Sequence, residues 1–596
     1  MAIKYRAEID GLRAIAVLSV IFFHTGISEF SGGFVGVDIF FVISGYLITS
    51  IIFNDLRKDK FSLLDFYERR TRRILPALFL VMTVSSIFAY FWMMPDEFKN
   101  FGQSVVATTI FSNNILLAIT SNYWALSSEF KPLLHTWSLG VEEQYYIIFP
   151  LFMIIGWRFF RKKIIGVLVV ITFVSLFVAG WDLLNNKDLN FYLLPTRAWE
   201  ILLGSLVTFY LNNYSEYKHN LQTKNLLSIL GLALIVVSVI AFDHHLPSPS
   251  FFTLIPTLGT ALIILFASEG TIVKKLLSNR VMVSIGLISY SAYLWHNPVF
   301  AFARIYSIKE PSLGVKFTLI LVIFFLSYVT WKFIETPCRN KDKISQKKIF
   351  SSMVLLAVFL IYFGYYLNDS YGIPSRIYDK SVIIEDMDKR VYNRKVYKFK
   401  KDKFIENGKL KILVIGNSFA RDFVNMTSET FDLKKIEIIY RDDFSCGIFP
   451  FKNIINRDLF GSANVIVFAS GSTEQYLNKD INFARQYGKD IFYIGTKDFG
   501  YNLNWVIRLK RSDMHNLYNP LSVKTIKTER DMSDIVPKKN YISLLSPIVK
   551  YGQVPITDSL GRMISTDRSH LTKYGAKFIG EKSLLKSHFG EIIINQ

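Results

Sequence analysis

The chain has 596 residues, more than one compact domain usually holds, and 51% of it is hydrophobic, with 52 phenylalanines. Its net charge of +21 comes without a Lys/Arg-rich face interleaved with aromatics, which excludes nucleic-acid binding in favour of basic loops on one side of a membrane. Cys338 and Cys446 fall in different halves, so a disulfide framework and a Cys-rich metal site are excluded and no bridge between them is expected.

Apolar runs fit to cross a bilayer lie near residues 12–28, 34–53, 74–94, 143–156, 164–181, 197–212, 226–243, 251–268, 283–303, 316–334 and 349–367. The first has no small-residue cleavage site and runs almost directly into the second, so it reads as a span and not as a signal peptide. The stretch 101–120 carries Gln103, Ser104, Ser112, Asn113 and Asn114, and loop charge decides against it. Without it, eleven spans remain, and the basic loops 54–73, 157–163 and 335–348 fall together on the cytoplasmic side. An odd count with a cytoplasmic N-terminus puts the tail outside.

His24 lies inside the first span, eleven residues past Arg13 and hence ~16 Å along a helix. An ionisable side chain at that depth is costly unless it faces protein or water, so a packing histidine and a functional one are about even on residue type alone. Asp10 and Arg13 stand at the cytoplasmic mouth of the same helix, and the next loop offers Arg69, Arg70, Arg72 and Arg73. Topology anchoring would account for that cluster; gripping the phosphates of a cytosolic cofactor is the sharper reading. His135, Glu142 and Glu143 open a later span, where the two carboxylates suit ion pairing with arginines or a role in transfer, and spacing does not choose.

These residues sit in blocks that resemble the acyltransferase-3 family of membrane proteins: YRAEIDGLRAIAVLSVIFFH (5–24), FVGVDIFFVISGYLIT (34–49), FYERRTRRILPAL (66–78), HTWSLGVEEQYY (135–146), RAWEILLGS (197–205), SYSAYLWHNP (289–298) and FIETPCR (333–339). The blocks recur in family order. The resemblance implies transfer of acetyl or other acyl groups to cell-envelope carbohydrate, with acetyl-CoA as cytoplasmic donor and no metal. It implies His24 as the essential histidine, Arg13 as its functional neighbour, and Arg72 and Arg73 in the arginine motif near the donor. Asp10, Glu142 and Glu143 are possible further members of the site.

Beyond a polar linker at about 368–409, the run Lys411-Ile412-Leu413-Val414-Ile415 reads as a buried strand ending in Gly416-Asn417-Ser418, with a helix over 419–426. Further apolar runs at 464–469 and 490–495 give an α/β domain with a parallel sheet. A serine after such a strand has its hydroxyl exposed at the sheet edge, beside helix N–H groups that can hold an oxyanion. Asp567, three residues before His570, can orient that imidazole as base to a distant serine.

The tail resembles the SGNH hydrolase-like domain found fused to acyltransferase-3 proteins. By position, Ser418 is the nucleophile, His570 the base, Asp567 the orienting acid and Gly447 the oxyanion donor of the second block. The family's Gly-Asp-Ser-His is here Gly416-Asn417-Ser418-Phe419, and the third block is not apparent around Ala469-Ser470-Gly471-Ser472. A non-catalytic, glycan-binding tail therefore stays open.

The expected architecture is a multi-pass α-helical membrane domain of about eleven transmembrane helices plus a C-terminal α/β SGNH-like domain. Its expected division is 1–345, a further transmembrane helix and linker over 346–409, and an extracytoplasmic 410–596. The expected function is a bacterial inner-membrane O-acetyltransferase acting on a polysaccharide, lipid-linked and of O-antigen type. Peptidoglycan is the rival acceptor, and a lipid-linked sugar transporter the rival class. No oligomeric state is assigned.

Overall fold

The computed structural model describes residues 5–120, 128–182, 187–213, 220–243, 245–378, 386, 389–442, 454–469 and 489–596. The chain forms two compact units, one built from Met1–Tyr90, Glu97–Arg304 and Pro311–Ser370, the other chiefly from Tyr371–Gln596.

The first unit is helical, and each of the eleven expected spans falls on a helix. Seven segments meet the length and hydropathy of a crossing: Ser28–Arg57, Leu63–Trp92, Thr136–Phe159, Arg161–Trp181, Leu221–Ala241, Leu313–Arg339 and Gln346–Asp369. The number that qualifies on those grounds is smaller than eleven: Ala7–Phe23 with 17 residues and Leu254–Phe266 with 13 are short, and Leu194–Asn213 carries buried charge. The helix α1 (Ala7–Phe23) holds Glu8, Asp10 and Arg13, and Leu194–Asn213 holds Arg197 and Glu200. The stretch 101–120 divides between Pro95–Thr109 and Asn113–Thr120, broken at Phe111 with φ +54°, and neither piece is long enough to cross.

The helices α2 (Gly36–Arg57) and Leu194–Asn213 pack backbone to backbone. A Cβ at Gly45 would stand 1.8 Å from the Ile201 carbonyl oxygen, and one at Gly204 would stand 2.0 Å from that of Val42. Only glycine permits this approach, which brings the FVISGYLIT and RAWEILLGS blocks into register. Arg197 then bonds both Asp38 (2.8 Å) and Glu200 (2.9 Å). The helix α3 (Leu63–Trp92) has 30 residues, about 45 Å at 1.5 Å per residue, so it outruns a bilayer core and carries its arginines near one end.

The second unit holds a five-stranded parallel sheet of order β2-β1-β3-β4-β5, with β1 Leu410–Gly416, β2 Ile436–Arg441, β3 Val465–Ala469, β4 Asp490–Ile494 and β5 Tyr541–Ile542. A two-residue alternation feeds two cores. Ile412, Val414, Val465, Val467 and Phe492 enter one, and Leu413, Ile415, Ile466, Phe468 and Ile491 the other. Ile377, Tyr378, Tyr392 and Val396, from the segment expected as linker, join the first of these cores.

Candidate active site

In the membrane unit a cavity of about 870 Å³, part of it open space, is lined at one end by Arg13, Arg70, Arg73, Glu142 and Tyr146. At the other it is lined by Val37, Phe41, His135, Thr136 and Tyr293. The helix α6 (Thr136–Phe159), with His135 as its N-cap, supplies Thr136, Ser138, Leu139, Glu142 and Tyr146, spacings that lie along one helical face. His135 and Tyr146 are eleven residues apart, so that face is roughly 16 Å long. The lining holds three guanidinium groups and one carboxylate, an arrangement suited to polyanionic phosphate.

The side chains at the cationic end are held individually. Arg13 pairs with Asp10 at 3.3 Å, and Asp10 also accepts the Tyr5 hydroxyl at 2.8 Å. Glu142 accepts the Ser44 hydroxyl at 2.7 Å. Arg70 lies over the rings of Phe66 and Tyr146, 5.9 Å from each centroid. Glu143, one residue on, turns away from the cavity and is buried.

Arg72 is placed apart from the cavity. It pairs with buried Glu68 at 2.8 Å and donates to the Cys338 and Ile344 carbonyls at 3.0 and 2.7 Å. Helix geometry gives the reason, since residues three apart share a face, which sets Arg70 with Arg73 on the cavity and Arg69 with Arg72 off it. Arg69 duly reaches Asp55 at 3.3 Å.

His24 caps the C-terminal end of α1, which closes as Gly26 enters the left-handed region at φ +76°. Its ring meets that of His296 at 5.1 Å between centroids, and His296 meets His135 at 5.3 Å. The carbonyl of His24 accepts from Arg304 at 2.8 Å. The sequence reading singled out neither Arg70 alone nor His296. The signal for His296 was the one that drew attention to His24, an ionisable residue at membrane depth.

In the second unit the turn after β1 carries Ser418 at the first position of the helix Ser418–Thr430. Gly416 has φ +144°, which a side chain would oppose, and Asn417 caps the helix by accepting the Phe419 N–H at 3.1 Å. The strand order changes direction at β1, so Ser418 stands at the carboxyl edge where doubly wound sheets bind ligands.

His570 Nδ1 lies 2.7 Å from Asp567 Oδ2, and Asp567 Oδ1 accepts the N–H groups of Ser569 and His570, both at 2.7 Å. The expectation of an exposed serine is corrected. Ser418 is fully buried, and its Oγ has no hydrogen-bond partner among the described residues. Part of the cause is an ion pair packed against the same turn.

That pair is Lys497–Asp422, and sequence reading missed it. Lys497 Nζ lies 3.4 Å from the Ser418 carbonyl oxygen and 4.6 Å from the Phe419 ring centroid, while Asp422 accepts the Leu571 N–H at 3.5 Å. Burial pushes the Lys497 ammonium below the ordinary lysine range, with Asp422 and Asp567 opposing. Gly447 lies outside the described residues, as do Cys446 and residues 470–472.

The family described as an acyltransferase domain matches residues 6–334, more than half of the chain. The protein belongs to that family. It is 31% identical over 387 residues to O-acetyltransferase OatA of Staphylococcus aureus, covering 60% of this chain and 62% of that protein. It is also 31% identical over 365 residues to peptidoglycan O-acetyltransferase OatA of Listeria monocytogenes, covering 58% of each. A Haemophilus influenzae protein of unassigned activity is 34% identical over 244 residues, 39% of this chain and 99% of that protein. The chain thus spans about three fifths of the length of the OatA relatives it matches.

Proposed function

We propose that this member of the acyltransferase family is a membrane O-acyltransferase that moves acetyl from cytoplasmic acetyl-CoA to a hydroxyl of an extracytoplasmic cell-envelope polysaccharide. The observation that carries the reading is the cavity, whose cationic end of Arg13, Arg70 and Arg73 fits the phosphates of a coenzyme A donor. Its far wall holds His135, whose ring adjoins the imidazole cluster that includes His24. His24 takes the proton of the attacking hydroxyl. In this reading the protein sits in a bacterial inner membrane with its N-terminus cytoplasmic and its tail periplasmic.

The tail is an SGNH-like domain in the same proposal. Ser418 carries acetyl as an ester, His570 acts as base and Asp567 orients it, so the transfer is divided into two easier steps. The acceptor is a lipid-linked glycan of O-antigen type. A second reading, peptidoglycan as acceptor, is favoured by the likeness to the peptidoglycan O-acetyltransferase OatA of Listeria monocytogenes.

The test is reconstitution of the purified chain in proteoliposomes with radiolabelled acetyl-CoA on the arginine-cluster side and each polysaccharide on the other. Labelled glycan that disappears with His24→Ala supports the proposal. Retention of all label as acetyl-CoA with both acceptors, in correctly inserted protein, overturns it and returns the transporter reading.

A further inference from the structure

A histidine base works only if one ring nitrogen is held as N–H, so that the other remains a lone pair. In soluble triads a carboxylate does the holding, as Asp567 is placed to do for His570 at 2.7 Å. Among the described residues the titratable and charged groups acting on His24 are His296, Arg304 and His135, and none is a carboxylate.

His296 has the geometry for it. It is fully buried, whereas His24 keeps part of its surface open. His296 Nδ1 lies 2.5 Å from the Tyr293 carbonyl oxygen. A carbonyl oxygen only accepts, so Nδ1 carries the proton and Nε2 is the acceptor. That Nε2 is buried with no hydrogen-bond partner among the described residues. The His24 ring stands 5.1 Å away between centroids, so a small ring rotation brings its N–H to that acceptor. The turn that carries His296 is itself anchored, because the Tyr293 hydroxyl donates to the His135 carbonyl at 3.0 Å.

We propose that His296 is the positioning residue of His24: its Nε2 accepts the ring N–H of His24. The opposite nitrogen of His24 is then the lone pair that takes the proton of the attacking hydroxyl. That hydroxyl oxygen bonds to the thioester carbonyl carbon, the carbon–sulfur bond breaks, and His24 returns the proton to the leaving thiolate. This rests on the reading of His24 as the base of acyl transfer, and adds the group that fixes its tautomer.

The experiment compares His296→Leu, His296→Gln, His296→Gly and His24→Ala in the full chain, purified in detergent, with acetyl-CoA as donor. Monodispersity and coenzyme A binding are checked first. His296→Leu is expected to lower kcat about 100-fold while the donor KM moves less than about 2-fold. His296→Gln, whose amide oxygen can replace Nε2 as acceptor, is expected to keep about 10-fold more activity than His296→Leu. Added imidazole is expected to restore turnover to His296→Gly.

Parental kcat in His296→Leu, with His24→Ala inactive, overturns the proposal and leaves the base reading standing. Equal losses in the Leu and Gln variants with no rescue by imidazole also overturn it, since a packing role alone produces that pattern. A fully active His24→Ala overturns the base reading itself.

Discussion

Replacing the arginines of α3 one at a time separates donor binding from folding. Arg70 and Arg73 line the cavity, and Arg70 otherwise rests against Phe66 and Tyr146. A charge-assisted bond to phosphate is worth about 1.5–3 kcal/mol, so Arg70→Ala should raise the KM for acetyl-CoA about 10- to 150-fold. Arg72→Ala removes a different set of contacts. It orphans the Cys338 and Ile344 carbonyls and leaves Glu68, whose side chain is 4% exposed, without its nearest cation. Breaking a buried pair costs about 3–5 kcal/mol. Here Lys341 remains 2.9 Å from Glu68, with its own side chain 53% exposed, and the pair lies near a helix end. The loss therefore belongs at the low end, about 3 kcal/mol. The assay is paired: thermal unfolding in detergent, and donor KM on whatever folded protein remains. Arg72→Ala should unfold earlier with little change in KM, and Arg70→Ala the reverse. A raised KM with unchanged unfolding in Arg72→Ala would refute the division and return Arg72 to the donor site.

In the tail, Ser418→Ala and His570→Ala should each abolish glycan acetylation, with Asp567→Ala milder, measured as acetyl incorporation in cells lacking the parent copy. Glycan acetylated at the parental level by Ser418→Ala would mark the tail as non-catalytic. Lys497→Met should make the tail of the full chain more sensitive to limited proteolysis, because Asp422 is left buried alone, and adding Asp422→Leu should recover much of the loss. Because the folded Lys497 pKa lies below the ordinary one, the unfolded state binds more protons between the two values. The cost of burying the ammonium is full below the folded pKa. It is relieved as pH rises through that value toward about 10.4, so the parent should gain stability relative to Lys497→Met over that window in urea titrations. A reporter fused after residue 400 should be active only outside the cytoplasm, because the basic loop 335–348 resists translocation.

The family blocks made the helical unit legible, since each brings its polar residues at fixed positions along an apolar run. What the blocks did not yield was which arginine of a contiguous cluster faces the cavity. Arg69, Arg70, Arg72 and Arg73 are alike as sequence, and only their rotation about the helix axis separates Arg70 and Arg73 from Arg72. Polar residues also disguised some helices. Glu8 and Asp10 make the first turn of α1 polar, so the helix begins at Ala7, ahead of the expected start near residue 12.

In the second unit the apolar runs marked β1, β3 and β4, whereas β2 went unnoticed because Glu437 and Arg441 interrupt its hydrophobic pattern. The pairing of Lys497 with Asp422 could not be read at all, since it joins residues 75 apart and exists only because the parallel sheet brings the end of β4 beside the helix that follows β1. The same topology explains why a glycine-polar-serine turn, read as an exposed edge, holds a buried hydroxyl. A strand-to-helix turn offers its first side chain to whatever later segment crosses the sheet edge. Here the Lys497 segment and Leu571, beside His570, both reach the helix that Ser418 begins. A buried hydroxyl without a partner among the described residues is costly to keep for packing alone, at about 1–3 kcal/mol, and alanine would fit the same space. That cost favours a working role for Ser418 over a structural one, and acetylation measured on Ser418→Ala decides between them.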